Sequence, residues 1–263
     1  MATPFPLVLG IVNVTADSFS DGGRFLDAGR AIEHALKLRA DGAAMVDVGG
    51  ESTRPGAQPV PAAEELRRVI PIVEALVREG VAVSVDTMKP EVMRAAIGAG
   101  AAVINDVYAF RAEGAIEAVA NANTGLVVMH MQGTPATMQE EPRYGDVVGE
   151  VAAFLRERAA ALEAAGVSRE RIVLDPGFGF GKTIEHNRTL FRGLPRIAAL
   201  GYRVLAGVSR KRMIGEFTGR DVAERVAGSV AAALLAVQNG ASLVRVHDVR
   251  ETVDALKVWM ELG

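Results

Sequence analysis

The feature that most constrains this chain is an alternation that recurs eight times over 263 residues, in which a short apolar run precedes a stretch with helical periodicity. The runs are nearly all continuously apolar, which is typical of parallel strands buried on both faces. Strands that alternate with helices predict a parallel sheet with crossover helices. Because (β/α)8 barrels usually run to about 250 residues, we predict an α/β fold, a (β/α)8 TIM barrel forming one domain over residues 1–263.

The element boundaries follow from these patterns. The predicted strands are Leu7–Val14, Ala44–Val48, Ala82–Asp86, Val103–Asp106, Leu126–His130, Ile172–Asp175, Val204–Gly207 and Leu243–His247. The clearest predicted helices are Ala62–Arg78, Val147–Ala165 and Val222–Asn239, the last of which ends at Gly240.

Two long segments near the front of the chain show no apolar periodicity. Thr15–Asp27 and Gly49–Pro61 are instead rich in Ser, Thr, Gly and Pro. Loops of about a dozen residues without regular structure are uncommon unless they bind a ligand or close over one. Both segments are therefore predicted to be functional loops.

Composition excludes several classes of protein. A hydrophobic content of 49% supports a large core, and a net charge of −3 gives no reason to expect a nucleic-acid or anionic-membrane partner. Without cysteine the chain has no disulfide and no thiol nucleophile. Met1–Pro6 lacks a secretory pattern, and the longest apolar run, Ser229–Val237, is much shorter than the ~20 residues of a membrane span. We expect a cytoplasmic protein without a membrane segment.

Nearly every predicted strand ends in a side chain that can hydrogen-bond, ionise or bind metal. The series is Asn13, Asp47, Asp86, Asn105, His130, Asp175, Ser209 and the pair Arg245 and His247. In a barrel these ends form one ring, where the active sites of this architecture lie. Any single Asp or Asn among them is as well explained as a helix cap or turn residue, but the complete series favours an active site.

Two positions in this series have a more specific interpretation, and one has none. Arg245 and His247 are two apart on a strand, so their side chains share a face and can reach one anion. The end of the eighth strand often holds phosphate, aided here by a helix predicted to begin near Asp248. A lone histidine such as His130 is more often an internal residue than a catalyst, and it receives no role.

The segment Asp175-Pro-Gly-Phe-Gly-Phe-Gly-Lys182, hereafter the glycine loop, looks like a phosphate cradle but matches neither standard fingerprint. Pro176 stands where the Walker pattern needs glycine, and Lys182 stands where the dinucleotide pattern needs it. The glycines more plausibly let the loop lie close to a flat ligand, with Phe178 or Phe180 as an apolar wall. A strained turn with core phenylalanines is the alternative.

Several segments taken together resemble the dihydropteroate synthases, a family of (β/α)8 barrels, in the family's order and over nearly the whole chain. These segments are Gly10-Ile-Val-Asn-Val-Thr-Ala-Asp-Ser-Phe-Ser-Asp-Gly-Gly23, Asp47-Val-Gly-Gly-Glu-Ser-Thr-Arg-Pro-Gly56, Met129-His-Met-Gln-Gly-Thr-Pro135, the glycine loop and Ser209-Arg-Lys211. The chain departs from the family pattern at Ala16, where Pro is common, and at Arg212, where Ser is frequent. Neither departure removes a ligand group.

The resemblance implies a Mg²⁺-dependent condensation of 6-hydroxymethyl-7,8-dihydropterin diphosphate with 4-aminobenzoate, which forms dihydropteroate and releases pyrophosphate. It implies that Asp86 and Asp175 accept hydrogen bonds from the pterin, that Asn105 and Lys211 complete the pterin site, and that Met129 packs near the ring. By the same resemblance, pyrophosphate meets Arg54, Arg245 and His247, Mg²⁺ binds Asn13, and the aminobenzoate lies among Thr53, Pro55, Phe180 and Ser209 under the two long loops.

Two alternatives share these pterin-binding residues. Barrels that pass the methyl group of methyltetrahydrofolate to a corrinoid protein need no pyrophosphate site, so Ser52-Thr-Arg-Pro55 and the Arg245/His247 pair favour the synthase. A non-catalytic pterin-binding homologue would keep Asp86 and Asp175 without turnover, and the intact loops argue against it. The family's usual homodimer suggests that Val222–Asn239 buries a dimer face, although this helix is equally compatible with the core.

Overall fold

A computed structural model of the chain describes residues 5–14, 24–53 and 56–262. Within these residues eight parallel strands pair in sequence order, and β8 pairs with β1 to close the ring. The strands are β1 Leu7–Asn13, β2 Met45–Gly49, β3 Val83–Asp86, β4 Val103–Asp106, β5 Gly125–Met129, β6 Ile172–Asp175, β7 Arg203–Ala206 and β8 Leu243–Val246. The prediction of a (β/α)8 barrel is confirmed.

Helices follow every strand in the described part of the chain. They are α1 Arg24–Ala40, α2 Ala62–Arg78, α3 Pro90–Gly98, α4 Ala115–Val119, α5 Val147–Ala164, α6 Ile184–Arg192, α7 Leu194–Ala198, α8 Arg212–Thr218, α9 Val226–Gln238 and α10 Val249–Leu262. The units after β6 and β7 each carry two helices rather than one. No helix among the described residues is long and apolar enough to cross a bilayer.

The boundaries differ from the predictions in two places. The predicted helix Val222–Asn239 is wrong at its start, because residues 222–224 form a 3₁₀ turn and α9 begins only at Val226. Arg225 interrupts the helix, since its guanidinium donates to the carbonyls of Arg220 and Arg210 and holds the chain there. In addition, α1 begins at Arg24, inside the predicted loop 15–27, whose residues 15–23 lie outside the described residues.

The barrel interior is divided along its axis. Near the N-terminal ends of the strands an apolar layer fills it, formed by Leu9, Val127, Val173, Leu205 and Leu243. Because side chains alternate along a strand, the residue two positions further on points into the same interior. Val173 is thus followed by Asp175, and Leu243 by Arg245. The strand sequences therefore place this apolar layer, the floor of the barrel, towards the N-terminal ends of the strands. They place a polar barrel mouth at the C-terminal ends.

Candidate active site

A partly buried arginine lies between two carboxylates in the barrel mouth. Arg245 on β8 donates from Nε to Oδ2 of Asp47 at 2.5 Å and from Nη2 to Oδ2 of Asp86 at 3.2 Å. Asn105 on β4 donates its amide to the same Asp47 oxygen at 3.3 Å. Four strands thus bring together four of the residues that the sequence places at strand ends.

The electrostatics of this cluster follow from burial. Desolvation and the neighbouring Asp47 raise the pKa of Asp86 to about 7, although Arg245 opposes the shift. Burial disfavours the guanidinium, but Asp47 and Asp86 outweigh it and raise the pKa of Arg245. Oδ1 of Asp47 and Oδ1 of Asn105 are buried without a hydrogen-bond partner in the part of the chain that the structure describes. Leaving such acceptors unpaired is costly, so this mouth suits a ligand that presents N–H donors.

A third carboxylate, Asp175 at the end of β6, interacts with a second cation, Lys211. Burial raises the pKa of Asp175 to about 6, against the N–H of Gly177, Lys211 and Arg245, which lower it. The pKa of Lys211 falls to about 8 through burial and the charge of Arg245. Its ammonium lies 4.3 Å from the ring centroid of Phe180, a cation–π distance. Asp175, Phe180 and Lys211, all predicted site residues, therefore lie together.

The glycine loop packs against the backbone that leaves β5. Gly177 and Gly181 have φ of 67° and 57°, and a Cβ there would come within 1.9 Å of the His130 carbonyl oxygen and 2.8 Å of the Gln132 carbonyl oxygen. Close approach of two backbones, rather than of a ligand, is the observed reason for these two glycines. Phe178 is a core residue whose ring packs at 5.5 Å on Phe191, whereas Phe180 is only partly buried.

His247 lies one residue beyond β8 and contacts Ser209. The Ser209 hydroxyl lies 3.1 Å from Nδ1 of His247 and accepts from its backbone N–H at 3.2 Å. Burial, Arg245 and Arg210 lower the pKa of His247 to about 4. This imidazole is therefore neutral near pH 7, and its contribution to an anion site is a hydrogen-bond donor rather than a full charge.

A methionine-rich wall borders the mouth beside the glycine loop. Met129 packs with Met131, Met138 and Val107, and Phe180 lies against this cluster. Flexible, polarisable methionines are good partners for aromatic faces. The sequence analysis identified only Met129, through the family resemblance. Met131 could also have been identified, because it lies two residues after Met129 at the end of β5.

The remaining predicted residues lie near the two front loops. Asn13 is exposed at the end of β1, where it pairs with Gly49. Thr53 is partly buried beyond the end of β2. Arg54, Pro55 and Ala16 lie outside the described residues. The described residues contain no group of three or more His, Asp or Glu side chains arranged for a metal.

Three charged features of this end were missed by the sequence analysis. Asp47 received no role, yet it is the main partner of Arg245. Lys89 pairs with Glu51 and with the fully buried Glu65, and so ties the second long loop to α2. Lys182, at the end of the glycine loop, is buried against His130. The residues of each pair are distant in sequence, so the sequence did not reveal the pairs. Only Lys182 drew attention, because it follows the last glycine of the glycine loop.

Comparison with known proteins agrees with this geometry. The model of the pterin-binding enzyme family matches residues 9–247. A curated relative, the dihydropteroate synthase of Neisseria meningitidis serogroup C, is 54% identical over 263 residues, which cover 98% of this chain and 93% of the relative. This chain belongs to the dihydropteroate synthase family of pterin-binding enzymes.

Solved structures of family members have the same fold. Dihydropteroate synthase of Xanthomonas albilineans with 4-aminobenzoic acid has a TM-score of 0.93 and 56% identity, covering 98% of this chain and 93% of that chain. The same enzyme with 7,8-dihydropteroate has a TM-score of 0.89 and 53% identity, covering 98% and 94%. The resemblance drawn from the sequence motifs is confirmed.

Proposed function

We propose that this chain is a dihydropteroate synthase, a transferase that joins the methylene of 6-hydroxymethyl-7,8-dihydropterin diphosphate to the amine of 4-aminobenzoate and releases pyrophosphate. The observation that carries this proposal is the barrel mouth itself, where the buried carboxylates of Asp86 and Asp175 are opposed by Arg245 and Lys211. The family relationship over nearly the whole chain supports it, as do the ligands named in the X. albilineans structures.

The carboxylates suit the heterocycle of the proposed substrate. A pterin presents an edge of amino and ring N–H donors, and an ionised carboxylate in a water-poor pocket is a strong acceptor for them. Asp86 and Asp175 are the proposed acceptors, and the unpaired Oδ1 of Asn105 offers a third. Met129 and Lys211 complete the proposed pterin site. Asp47 is then a structural partner that keeps Arg245 in place.

The leaving group needs positive charge and donors, because pyrophosphate gains negative charge as the carbon–oxygen bond breaks. Arg54, Arg245 and His247 are the proposed contacts. Nδ1 of His247 faces the Ser209 hydroxyl, so Nε2 is the ring nitrogen proposed to contact the pyrophosphate. The charge of Arg245 is already shared between Asp47 and Asp86, so Arg54 is the proposed additional source of positive charge for the pyrophosphate.

The exposed Asn13 fits the proposed magnesium role. Mg²⁺ keeps several waters and is bound through few protein ligands together with substrate phosphates, so a single amide oxygen at the barrel mouth is an adequate donor set. When bound, Mg²⁺ would neutralise charge on the diphosphate. The side chain of Asn13 would orient the ion through its carbonyl oxygen.

The second substrate needs alignment more than activation. An aromatic amine is already neutral, so holding it in line with the pterin methylene lowers the barrier, with about 7–11 kcal/mol as the upper range for such effects. Thr53, Pro55, Phe180 and Ser209 are the proposed contacts of the aminobenzoate. Exclusion of water by the two long loops would prevent hydrolysis of the electrophile to a hydroxymethylpterin.

The proposal is tested by mixing purified protein, Mg²⁺, the pterin diphosphate and 4-aminobenzoate, and by measuring pyrophosphate and dihydropteroate together. We expect the two products in equal amounts and neither product when any one component is omitted. Pterin binding without turnover would identify a non-catalytic homologue instead, and methyl transfer to a corrinoid protein would identify the other alternative. The cytoplasmic location and the lack of a nucleic-acid partner stay predictions.

We also propose a homodimer formed through an apolar groove between α6, α8 and α9. The groove is lined by Phe191, Ile214 and Ala232, and Phe217 and Leu235 at its edge are each 50% exposed. A second copy of the chain is the occupant that the family's usual homodimer suggests. Light scattering should give a dimer mass for the wild type and for Leu36→Glu on α1, and a monomer mass for Leu235→Glu. A wild-type monomer at micromolar concentration would contradict the proposal.

A further inference from the structure

Lys182 places a buried ammonium group inside the glycine loop. Its side chain is 3% exposed. Nζ donates to the Gly177 carbonyl at 2.9 Å and to the Phe180 carbonyl at 3.0 Å, and it lies 3.0 Å from Nδ1 of His130. Burial lowers the pKa of Lys182 to about 7, so the ammonium form predominates below that pH. An ammonium has three N–H donors and no acceptor, so in this form every donor has a partner.

The two carbonyls belong to the tight turn that separates two predicted site residues. The N–H of Phe180 donates to the Gly177 carbonyl at 3.1 Å, and Nζ of Lys182 closes the same turn from within. Upstream, the N–H of Gly177 donates to Oδ1 of Asp175 at 2.7 Å. Downstream, the ring of Phe180 faces Lys211. One ammonium thus connects the conformation of the loop to Asp175 and to the aromatic wall.

His130 anchors this ammonium to the neighbouring strand. The imidazole is buried, and its ring packs edge-on against Phe154 at 4.9 Å. Burial and the charge of Lys182 lower the pKa of His130 to about 2. The ring is therefore neutral, with an unprotonated Nδ1 that accepts from Lys182. His130 is therefore the acceptor that anchors Lys182, a role that its isolated position in the sequence did not suggest.

We propose that Lys182 is a positioning residue whose buried ammonium, held by His130, keeps the glycine loop in the conformation that presents Asp175 and Phe180 to the substrates. The proposal rests on the proposed synthase function. A loop with glycine at alternate positions has many accessible conformations, so a single internal cation that binds two of its carbonyls removes most of that freedom. Without the cation the loop loses its fixed shape, the Phe180 carbonyl loses its donor, and the Gly177 carbonyl keeps only the N–H of Phe180.

The opposite end of β6 offers a matched control. Arg171 immediately precedes the strand and also donates to three backbone carbonyls, those of Thr124 at 2.8 Å, Ala120 at 3.1 Å and Val119 at 2.9 Å. The two cations are chemically comparable clamps. They differ in position, because Arg171 lies at the N-terminal end of the barrel and contacts none of the predicted site residues.

The first test compares Lys182→Met with Arg171→Met. Both changes should lower the melting temperature, since each leaves carbonyls without donors. Only Lys182→Met should raise KM for 4-aminobenzoate and the pterin diphosphate, by about tenfold or more, as expected when charge-assisted hydrogen bonds are lost. Arg171→Met should keep both KM values within about twofold of the wild type, as distant sites are energetically independent.

The pH dependence of kcat/KM is a second measurement. Loss of a purely structural contact would leave it unchanged. Asp175 faces three cations, Lys182, Lys211 and Arg245, each of which lowers its pKa. Removing the charge of Lys182 should therefore raise the pKa of Asp175 and shift the acid limb of kcat/KM to higher pH. In Arg171→Met the acid limb should stay where it is in the wild type.

A second pair of variants keeps the test decisive if Lys182→Met does not fold. His130→Asn places an amide oxygen near the position of Nδ1 and can still accept from Lys182, whereas His130→Leu cannot. We expect His130→Leu to raise both KM values as Lys182→Met does, and His130→Asn to recover most of that loss. Equal KM values in the two His130 variants would overturn the role of the anchor.

The proposal is wrong if Lys182→Met loses stability like Arg171→Met but keeps the wild-type KM values and acid limb. Its failure is distinguishable from failure of the synthase function, because a wild-type protein that forms no dihydropteroate contradicts the function alone. In that event calorimetry with 6-hydroxymethylpterin still compares the loop variants. Unchanged pterin affinity in Lys182→Met would then count against the positioning role.

Discussion

The two ends of the barrel interior are built on opposite principles. Towards the N-terminal ends of the strands, Leu205 and Val173 belong to an apolar layer with no charge to satisfy. Towards the C-terminal ends, Asp175 is a buried charge and Arg245 a partly buried one, and some acceptors nearby have no partner among the described residues. Burying charge is costly unless it is fully compensated. The apolar floor therefore stabilises the fold. The barrel mouth lowers the stability of the fold, but its polar groups are already positioned to bind a ligand.

The largest effect on kcat/KM should come from removing the central cation of the mouth. Arg245→Met leaves Asp47 and Asp86 buried beside each other without a counter-charge. Breaking a buried pair in this way typically costs about 3–5 kcal/mol of folding stability, so we expect a lower melting temperature. Removing a group that faces the developing charge of the leaving group should lower turnover by roughly 10²–10³-fold. Steady-state kinetics and thermal unfolding measure the two effects. A variant with near-normal turnover would show that the mouth tolerates unpaired carboxylates.

Asp175→Asn should separate function from stability most clearly. The pKa of Asp175 in the folded state, about 6, lies above the ordinary aspartate value of 3.8, so ionisation of Asp175 disfavours folding, and its contribution to stability is lost as pH rises through this range. Near pH 8 the neutral asparagine should therefore stabilise the fold, by up to about 3 kcal/mol. Pterin affinity should fall roughly 10–100-fold because a charged acceptor is lost.

Chemical denaturation and calorimetry on the same Asp175→Asn sample provide the measurement. The contrast between floor and mouth predicts that Asp175→Asn increases the free energy of unfolding and decreases the affinity for the pterin. Loss of both stability and affinity would show instead that Asp175 is part of the structural core.

The pH dependence of pterin binding should be set by the ionisation of Asp86, Asp175 and Lys211. Its effect on affinity should be smaller than the effects of the two substitutions above. Asp86 and Asp175 have pKa values of about 7 and about 6, and both accept as carboxylates, so affinity should rise as pH increases through that range. Lys211, with a pKa of about 8, loses its charge above that value. We expect a bell-shaped profile whose maximum lies between about pH 7 and 8, with an acid-side decline that steepens towards about a hundredfold per pH unit once both carboxyls are protonated. A flat profile by calorimetry would contradict these assignments.

The smallest effect on catalysis should come from the floor. Leu205→Ala removes a fully buried side chain from the apolar layer and should lower the free energy of unfolding by about 2–5 kcal/mol. Well below the melting temperature, kcat/KM should stay within about twofold of the wild type, because Leu205 lies beneath the charged layer rather than in it. A large change in KM would show that the floor sets the geometry of the mouth.

The fold was predictable because each strand is a continuous apolar run with clear ends. All eight strands start and end within one residue of the predicted positions. The helix predicted at Val222 failed because Arg225 makes contacts with Arg210 and Arg220 that no local pattern encodes. The residues of the site were identified largely from the family resemblance and from their position at strand ends.

The partners within the site were not predictable from the sequence. Lys182 and His130 are 52 positions apart, so neither residue pointed to the other. The neutrality of His247 depends on burial beside Arg245, which exists only after folding. The roles of all the predicted site residues stay predictions, and Arg54 and Pro55 lie outside the described residues.

The ion pair between Arg245 and Asp47 joins residues 198 positions apart, which has a consequence for how the protein is made. During synthesis from the N-terminus, the carboxylates of the second and third strands emerge long before their counter-charge. An incomplete chain therefore has both an open sheet edge and an uncompensated acidic interior, and both are satisfied in one step when the last strand docks. We therefore expect chains that terminate before β8 to be less stable than the complete chain and to be cleaved more readily by proteases.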